Sequence, residues 1–217
     1  MADPTLAEPA GFRTIGQLAE RCGHYCWLEN RLFALTGSWA SAPAAPAAST
    51  EPAVASGSHG SVEAEVRVVC SEMSSWHGFV AGAWWDRLPV RAGVDAGALV
   101  VPPAGPIGQA LDLLEGEESL LGAFAALVGQ VLPALLAAYD EEYLHASAAS
   151  EAPVHALLDL VRPRVRQEIG RGQELVGHEG VGGAGPSHEA AKLGDMTGRL
   201  QRLLGVGGAI FPVVRAS

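Results

Sequence analysis

A carboxylate on the apolar stripe of a helix is costly, because burying it unpaired loses several kcal/mol or forces it to take up a proton. Four glutamates of this chain stand in such stripes. Glu29 follows Leu18, Cys22 and Cys26 and precedes Leu32 and Phe33, and Glu72 follows Val69 and precedes Trp76 and Phe79. Glu142 ends the row Phe124, Val128, Leu132, Leu135, Tyr139, and Glu168 ends the row Val154, Leu158, Val161, Val165. Such positions call for cations, hydrogen bonds or a metal ion. Two imidazoles stand near them. Glu142-x-x-His145 places both side chains on one side of a helix, one turn apart. His77 follows Glu72 by five residues, an offset of roughly 140° on an ideal helix, so those two share a ligand only where the helix is locally distorted, as by a π-bulge. The run Asp140-Glu141-Glu142 at a helix C-terminus has the wrong sign for the helix dipole, which favours a bound cation there. Two readings stay open: a metal site built from Glu29, Glu72, His77, Glu142, His145 and Glu168, or carboxylates held by ion pairs in the core.

The remaining chemistry-bearing residues point to blander roles. Cys22 and Cys26 lie one turn apart on the face that holds Glu29 and read as small buried hydrophobes, with a thiolate ligand or redox pair as the alternative. His24 pairs on its helix with Glu20, and His155 with Glu151 or Asp159. His59, His178 and His188 fall in polar or Gly-rich stretches. A zinc site from His77, His145 and His155 is a further geometric option. Trp27, Trp76, Trp84 and Trp85 read as core or interface anchors. The glycines of VGGAGPS have no strand before them and no Lys-Ser/Thr after them, so they do not form a phosphate loop.

Positioning these groups falls to long helices. Residues 1–11 form a flexible tail, and residues 12–217 form one helical-bundle domain interrupted by an Ala/Pro/Ser-rich linker at 38–60. Thr14 and Gln17 make a capping box that opens a helix over 14–36, with Gly37 as its stop. A second helix runs from Ser61 to Leu88 and ends at Pro89. After a Gly/Pro-rich connection, in which Leu99–Val101 is a short strand or coil, a third covers 107–146 with a break near Gly116. A fourth is capped by Ser150 and reaches Ile169. Pro133 and Pro163 each delete a backbone hydrogen bond and are expected to kink or restart their helices. Residues 170–187 read as a Gly-rich loop, after which Ser187 opens a last amphipathic helix carrying Leu193, Met196, Leu200, Leu203 and Leu204. The apolar tail packs back on the body. Long helices with Gly/Pro breaks and almost no alternating runs define an all-α bundle.

The chain's 217 residues carry 24 Asp+Glu against 14 Lys+Arg, a net charge of −10, with 48% hydrophobic and 18% charged residues. The apolar fraction excludes a wholly disordered chain, and the mean hydropathy is +0.19. The acidic balance argues against nucleic-acid partners and against an anionic membrane surface. Three cysteines make no disulfide framework and the N-terminus has no secretory signal, so a cytoplasmic location is expected. Ser119–Tyr139 has no charged residue and is long enough for a bilayer, but Gln130, Pro133 and the flanking acids favour the central helix of a bundle and no membrane partner.

Carboxylates projecting from four helices, with a Glu-x-x-His, resemble the ferritin-like di-iron carboxylate superfamily. The stretch SEMSSWHGFVAGAWWDRLP is also similar to actinobacterial ferritin-like proteins of unassigned function, in keeping with the Lys-poor, Ala/Gly/Arg-rich composition. The resemblance spans roughly 14–175 and implies a ferritin-like four-helix bundle with an additional C-terminal helix. That superfamily takes a lone Glu from each of two helices and a Glu-x-x-His from each of the other two. Glu29 matches a lone Glu and Glu142 with His145 one pair, whereas Ser75 and Arg171 stand three residues after Glu72 and Glu168. The resemblance implies an iron cofactor, as a di-iron or single-metal centre, and an oxidoreductase acting with O₂ on a small-molecule substrate. The alternative expectation is a metal-free bundle without cofactor, serving as a binding, homodimerisation or atypical catalytic scaffold.

Overall fold

A computed structural model describes residues 13–42, 59–89, 93, 95–180, 188–205 and 210. The expected tail at 1–11 and most of the 38–60 linker lie outside them. Among the described residues the chain is helical and contains no strand.

Helix α1 spans Ile15–Ser41 and opens on the expected capping box: Gln17 N–H donates to Thr14 Oγ1 at 3.2 Å, and Thr14 N–H to Gln17 Oε1 at 2.9 Å. It runs past Gly37, so the linker begins later than its composition suggests. The reason is packing. A Cβ at Gly37 would lie 2.9 Å from Ser74 Oγ, so this glycine admits the neighbouring helix α2 (His59–Trp85) rather than ending α1. Ser74 then donates to the Phe33 carbonyl at 2.9 Å, tying the two helices together. Beyond α2, Leu99 closes a 3₁₀ turn, Ala96–Leu99, opened by the Asp95 carboxylate on Gly97 N–H, and no strand forms there.

Helix α3 (Ile107–Glu115) ends at Gly116, the expected break. Ser119 caps α4 (Leu120–Ala126), which passes through a π turn, Leu127–Val131, into α5 (Leu132–His145). In the π turn Leu132 N–H reaches back five residues to the Leu127 carbonyl. The missing Pro133 donor therefore falls where the α-helical register is already interrupted, and the helix continues instead of restarting.

Helix α6 (Ala152–Gly180) corrects two expectations at once. Its first turn closes on the Glu151 carbonyl, which accepts from Val154 N–H at 2.9 Å and His155 N–H at 3.1 Å, while the Glu151 carboxylate accepts Ser147 N–H at 2.7 Å and pins the preceding turn; no Ser150 side-chain cap takes part. It also runs unbroken through Pro163 and through Gly170, Gly172 and Gly177, where a loop was expected. Pro163 and Asp159, the residue whose carbonyl loses its partner, both lie on the exposed face, where solvent can satisfy a free carbonyl. Gly172 is buried, and a Cβ there would lie 2.4 Å from Val128 Cγ1. Contact with the π turn outweighs the poor helix propensity of glycine. Helix α7 (His188–Leu204) follows, burying Met196, Leu200 and Leu204 as its heptad-like spacing predicts.

Helices α1 and α2 form the most extensive pairing. Helix α6 packs on α5 and α2, and α7 covers α3 and α4. One continuous core results, and of the apolar tail the described Ile210 is buried in it. The segment Leu120–His145 is long and apolar enough to cross a membrane by length and composition. It also contributes Phe124, Leu127, Leu132, Leu135 and Tyr139 to this core.

Candidate functional site

Where α1, α2, α5 and α6 face one another, four polar side chains meet in the core. Glu29, His77, Tyr139 and Glu168 are 1%, 0%, 0% and 3% exposed. His77 Nδ1 lies 2.5 Å from Glu29 Oε2. The Tyr139 hydroxyl donates to Glu29 Oε1 and accepts from Trp84 Nε1–H at 3.3 Å. On the far side of the imidazole, Nε2 faces Glu168 Oε2 at 3.7 Å, and neither atom has a hydrogen-bond partner. Arg164 closes the series, its Nε donating to Glu168 Oε1 at 3.3 Å. Tyr25 walls the chain, stacked on Trp84 at 4.7 Å and bonded to the Ala138 carbonyl at 3.0 Å.

The electrostatics follow from that order. Burial alone drives His77 toward its neutral form, but Glu29, through charge and hydrogen bond, and Glu168 outweigh it and hold its pKa above the ordinary imidazole value. Arg164 opposes them. Burial also raises Glu168 above the usual carboxylate range, against the pull of His77 and Arg164. Tyr139 is pushed far above its ordinary value by burial and by Glu29, and so remains a donor. Glu29 orients the ring through Nδ1, leaving Nε2 to face Glu168.

Three of the six expected ligands are thus brought together, and three are not. Glu142 is buried elsewhere, in ion pairs with Arg13 and with Arg21 at 3.5 Å. Arg13 also approaches Glu151 at 4.0 Å, which ties the start of α1 to the α5–α6 turn. Glu72 is half exposed and paired with Arg171. His145 is exposed, its Nδ1 bonded to the Glu141 carbonyl at 2.8 Å. The cause on α2 is the choice of stripe: Val66, Met73, His77, Val80 and Trp84 face the core, and Glu72 lies about 100° round the helix from Met73.

The assembled residues do not fit a di-iron pair. The two carboxylates approach opposite nitrogens of one imidazole, so they do not converge on a common point, and Arg164 takes one oxygen of Glu168. Among the described residues no three His, Cys, Asp or Glu side chains are grouped to hold a metal ion, and the trio His77, His145 and His155 is not assembled. His155 Nε2 instead meets the Ala146 carbonyl at 2.7 Å.

Tyr139, Arg13, Arg21 and Arg164 escaped the reading of the sequence. Arg164 carried a signal, standing four residues before Glu168 on one helix face. Tyr139 carried a weaker one, a hydroxyl in an otherwise apolar row. The cysteines are buried and free, with Cys22 and Cys70 thiols pushed up to about 12 by burial. Trp84 is a core anchor and Trp85 is half exposed.

Fold and site together define an all-helical protein with a buried Glu–His–Glu chain. Comparison with protein-family models, curated proteins and solved structures returned no match.

Proposed function

We propose that this chain is a ferritin-like bundle acting as a metal-free scaffold for binding a small molecule and for proton exchange with it. One observation carries the reading: His77 spans Glu29 and Glu168 through its two ring nitrogens, an arrangement suited to holding and moving a proton. Glu29 fixes the tautomer and stabilises the imidazolium, the role that the carboxylate plays in a catalytic triad, and Nε2 faces Glu168 across a 3.7 Å gap that a small displacement would close into a hydrogen bond. The Leu120–His145 segment is, in this reading, the core helix of a soluble cytoplasmic protein. Its buried Glu142 ion pairs and the acids at its ends support that, and absence from a carbonate-washed membrane pellet tests it.

The deciding experiment is anaerobic Fe(II) loading, elemental analysis, and optical spectra on O₂ addition. The expected result is no stoichiometric iron and no oxygen-dependent band. About two irons per chain, lost in Glu142→Ala, would return the di-iron oxidoreductase reading. A second reading, an oxidoreductase with one iron, is favoured by the two unpartnered atoms 3.7 Å apart, His77 Nε2 and Glu168 Oε2. It requires one iron per chain that is lost in His77→Ala and kept in Glu142→Ala.

A further inference from the structure

A surface helix normally turns charged residues to solvent, and the outward face of α2 does not. Ala64, Val68, Ser71, Ser75, Phe79 and Gly82 are all exposed and recur at three- and four-residue steps, so they form one stripe without a charge in it. Its large members project: Val68 is 56% exposed and Phe79 54%. Phe79 leans on Trp76, ring centroids 5.4 Å apart, which holds it in place before any partner arrives. Its small members leave room. A Cβ on Gly82 would meet no atom within 4 Å. One on neighbouring Gly78 would lie 3.1 Å from Phe33 of α1, a half-exposed ring that widens the apolar strip. Along the α6 edge the rim is charged, with Glu72 paired to Arg171, and Arg164 lying 5.7 Å from the Trp76 ring centroid.

We propose that two copies of this chain associate through this face, α2 against α2, antiparallel about a twofold axis at Ser75. The spacing is self-complementary about that residue. Val68 and Gly82 stand seven residues to either side of it, and Ser71 and Phe79 four, so each bulky side chain comes level with a small residue of the second copy. Val68 and the second copy's Phe79 then interdigitate along the α6 edge. Ala64, Ser71 and Gly82 of both copies let the backbones approach along the α1 edge.

The charges match in the same arrangement. Glu72 comes level with Gly78 of the second copy, two residues or about 3 Å along the axis from Trp76 and the Arg164 beside it. A carboxylate of each copy thus meets a guanidinium of the other. Elsewhere a chain of net charge −10 repels its own kind, so the uncharged stripe is where two copies approach at least cost. From Ala64 to Gly82 the stripe is about 27 Å long, and with the rims of α1 and α6 it offers roughly 600 Å² per copy, where specific interfaces begin. The interface uses no group of the Glu29–His77–Glu168 chain and stands whether or not that chain moves protons.

Sedimentation equilibrium of the full chain tests this. The expected result is a reversible dimer of twice 22.4 kDa, with a dissociation constant of about 10 µM or tighter. Gly82→Arg puts a long charged side chain where the fold leaves open space, so the helical circular dichroism is kept and association weakens at least tenfold. Leu144→Lys, at an 80% exposed position on α5, also trades an apolar surface group for a charge and leaves association unchanged. Ser75→Cys brings two thiols to the twofold axis. With helix axes about 10 Å apart their Cα atoms are about 5.5 Å apart, the usual span of a disulfide. Mild oxidation therefore links the copies, and the native cysteines, all buried, add no background. Ser150→Cys, exposed before α6, stays unlinked. A chain still monomeric at about 100 µM overturns the proposal and leaves the face to a different protein. A dimer unchanged by Gly82→Arg, or one that Ser75→Cys fails to link, overturns it as well.

Discussion

Replacing Glu29 by alanine removes the acceptor of two buried donors at once. Tyr139 O–H and His77 Nδ1 are both bonded to that carboxylate, in a core where neither is exposed to water. An orphaned buried donor costs about 1–3 kcal/mol, and here the imidazolium also loses its nearest counter-charge. Breaking a buried ion pair from one side costs about 3–5 kcal/mol, a range that embraces both losses. A chain of this length shifts by about 2–4 °C per kcal/mol, so Tm should fall by about 6–20 °C. The double variant Glu29→Leu/His77→Phe removes the charge together with its partner and fills the space with apolar atoms, so it should unfold at a higher temperature than Glu29→Ala. Completing the cycle with each single variant should give a coupling of about 1.5 kcal/mol or more. Thermal and urea unfolding followed by far-ultraviolet circular dichroism measure the wild type and these four variants. A fall of under about 3 °C for Glu29→Ala, or strict additivity in the cycle, would refute the reasoning that this pair is a tightly coupled unit.

The other expected outcomes are independent of that cycle. Because His77 is raised above 6.5, its stabilisation is complete below that value and is lost as pH rises through the folded pKa; Glu168, raised above 4.5, acts with the same sign from lower pH. Tm should therefore decline as pH rises from about 6.5, and a His77→Phe variant with a flat profile in that window confirms the source, whereas an unchanged profile refutes it. Gly172→Ala should lower stability by about 1–2 kcal/mol, since overpacking against Val128 exceeds the gain in helix propensity, while Gly177→Ala, with no atom within 4 Å of its Cβ, should raise it by up to about 1 kcal/mol. Urea midpoints measure both, and equal effects would refute the packing argument. Buried thiols pushed up to about 12 should make Cys22 and Cys70 inert to a thiol-specific disulfide reagent in the native protein and reactive on unfolding.

Local signals settled in the sequence are those that depend on neighbours along the chain. The Thr14–Gln17 box, the break at Gly116 and the phase of Met196, Leu200 and Leu204 are matters of a single turn or stripe, and periodicity reports them directly. The helical class follows from the same periodicity. Likewise, Glu29 and Glu168 were legible as costly residues because each ends or interrupts an apolar row.

Contacts between distant segments decided the rest. Gly37 and Gly172 read as a stop and a loop because glycine disfavours helices in isolation; Ser74 and Val128, 37 and 44 residues away, turn the same absence of a side chain into a packing requirement. Pro133 falls beside a π turn that no local rule announces. Glu72 and Glu142 carry the same stripe signal as Glu29, yet one turns out to Arg171 and the other meets Arg13 and Arg21, because which flank of a stripe faces inward depends on the helices packed against it. His77 shows this most plainly. Its own helix offers it no carboxylate partner, and its two are supplied from α1 and α6, 48 and 91 residues away in the chain, where only the tertiary fold brings them to opposite sides of one ring.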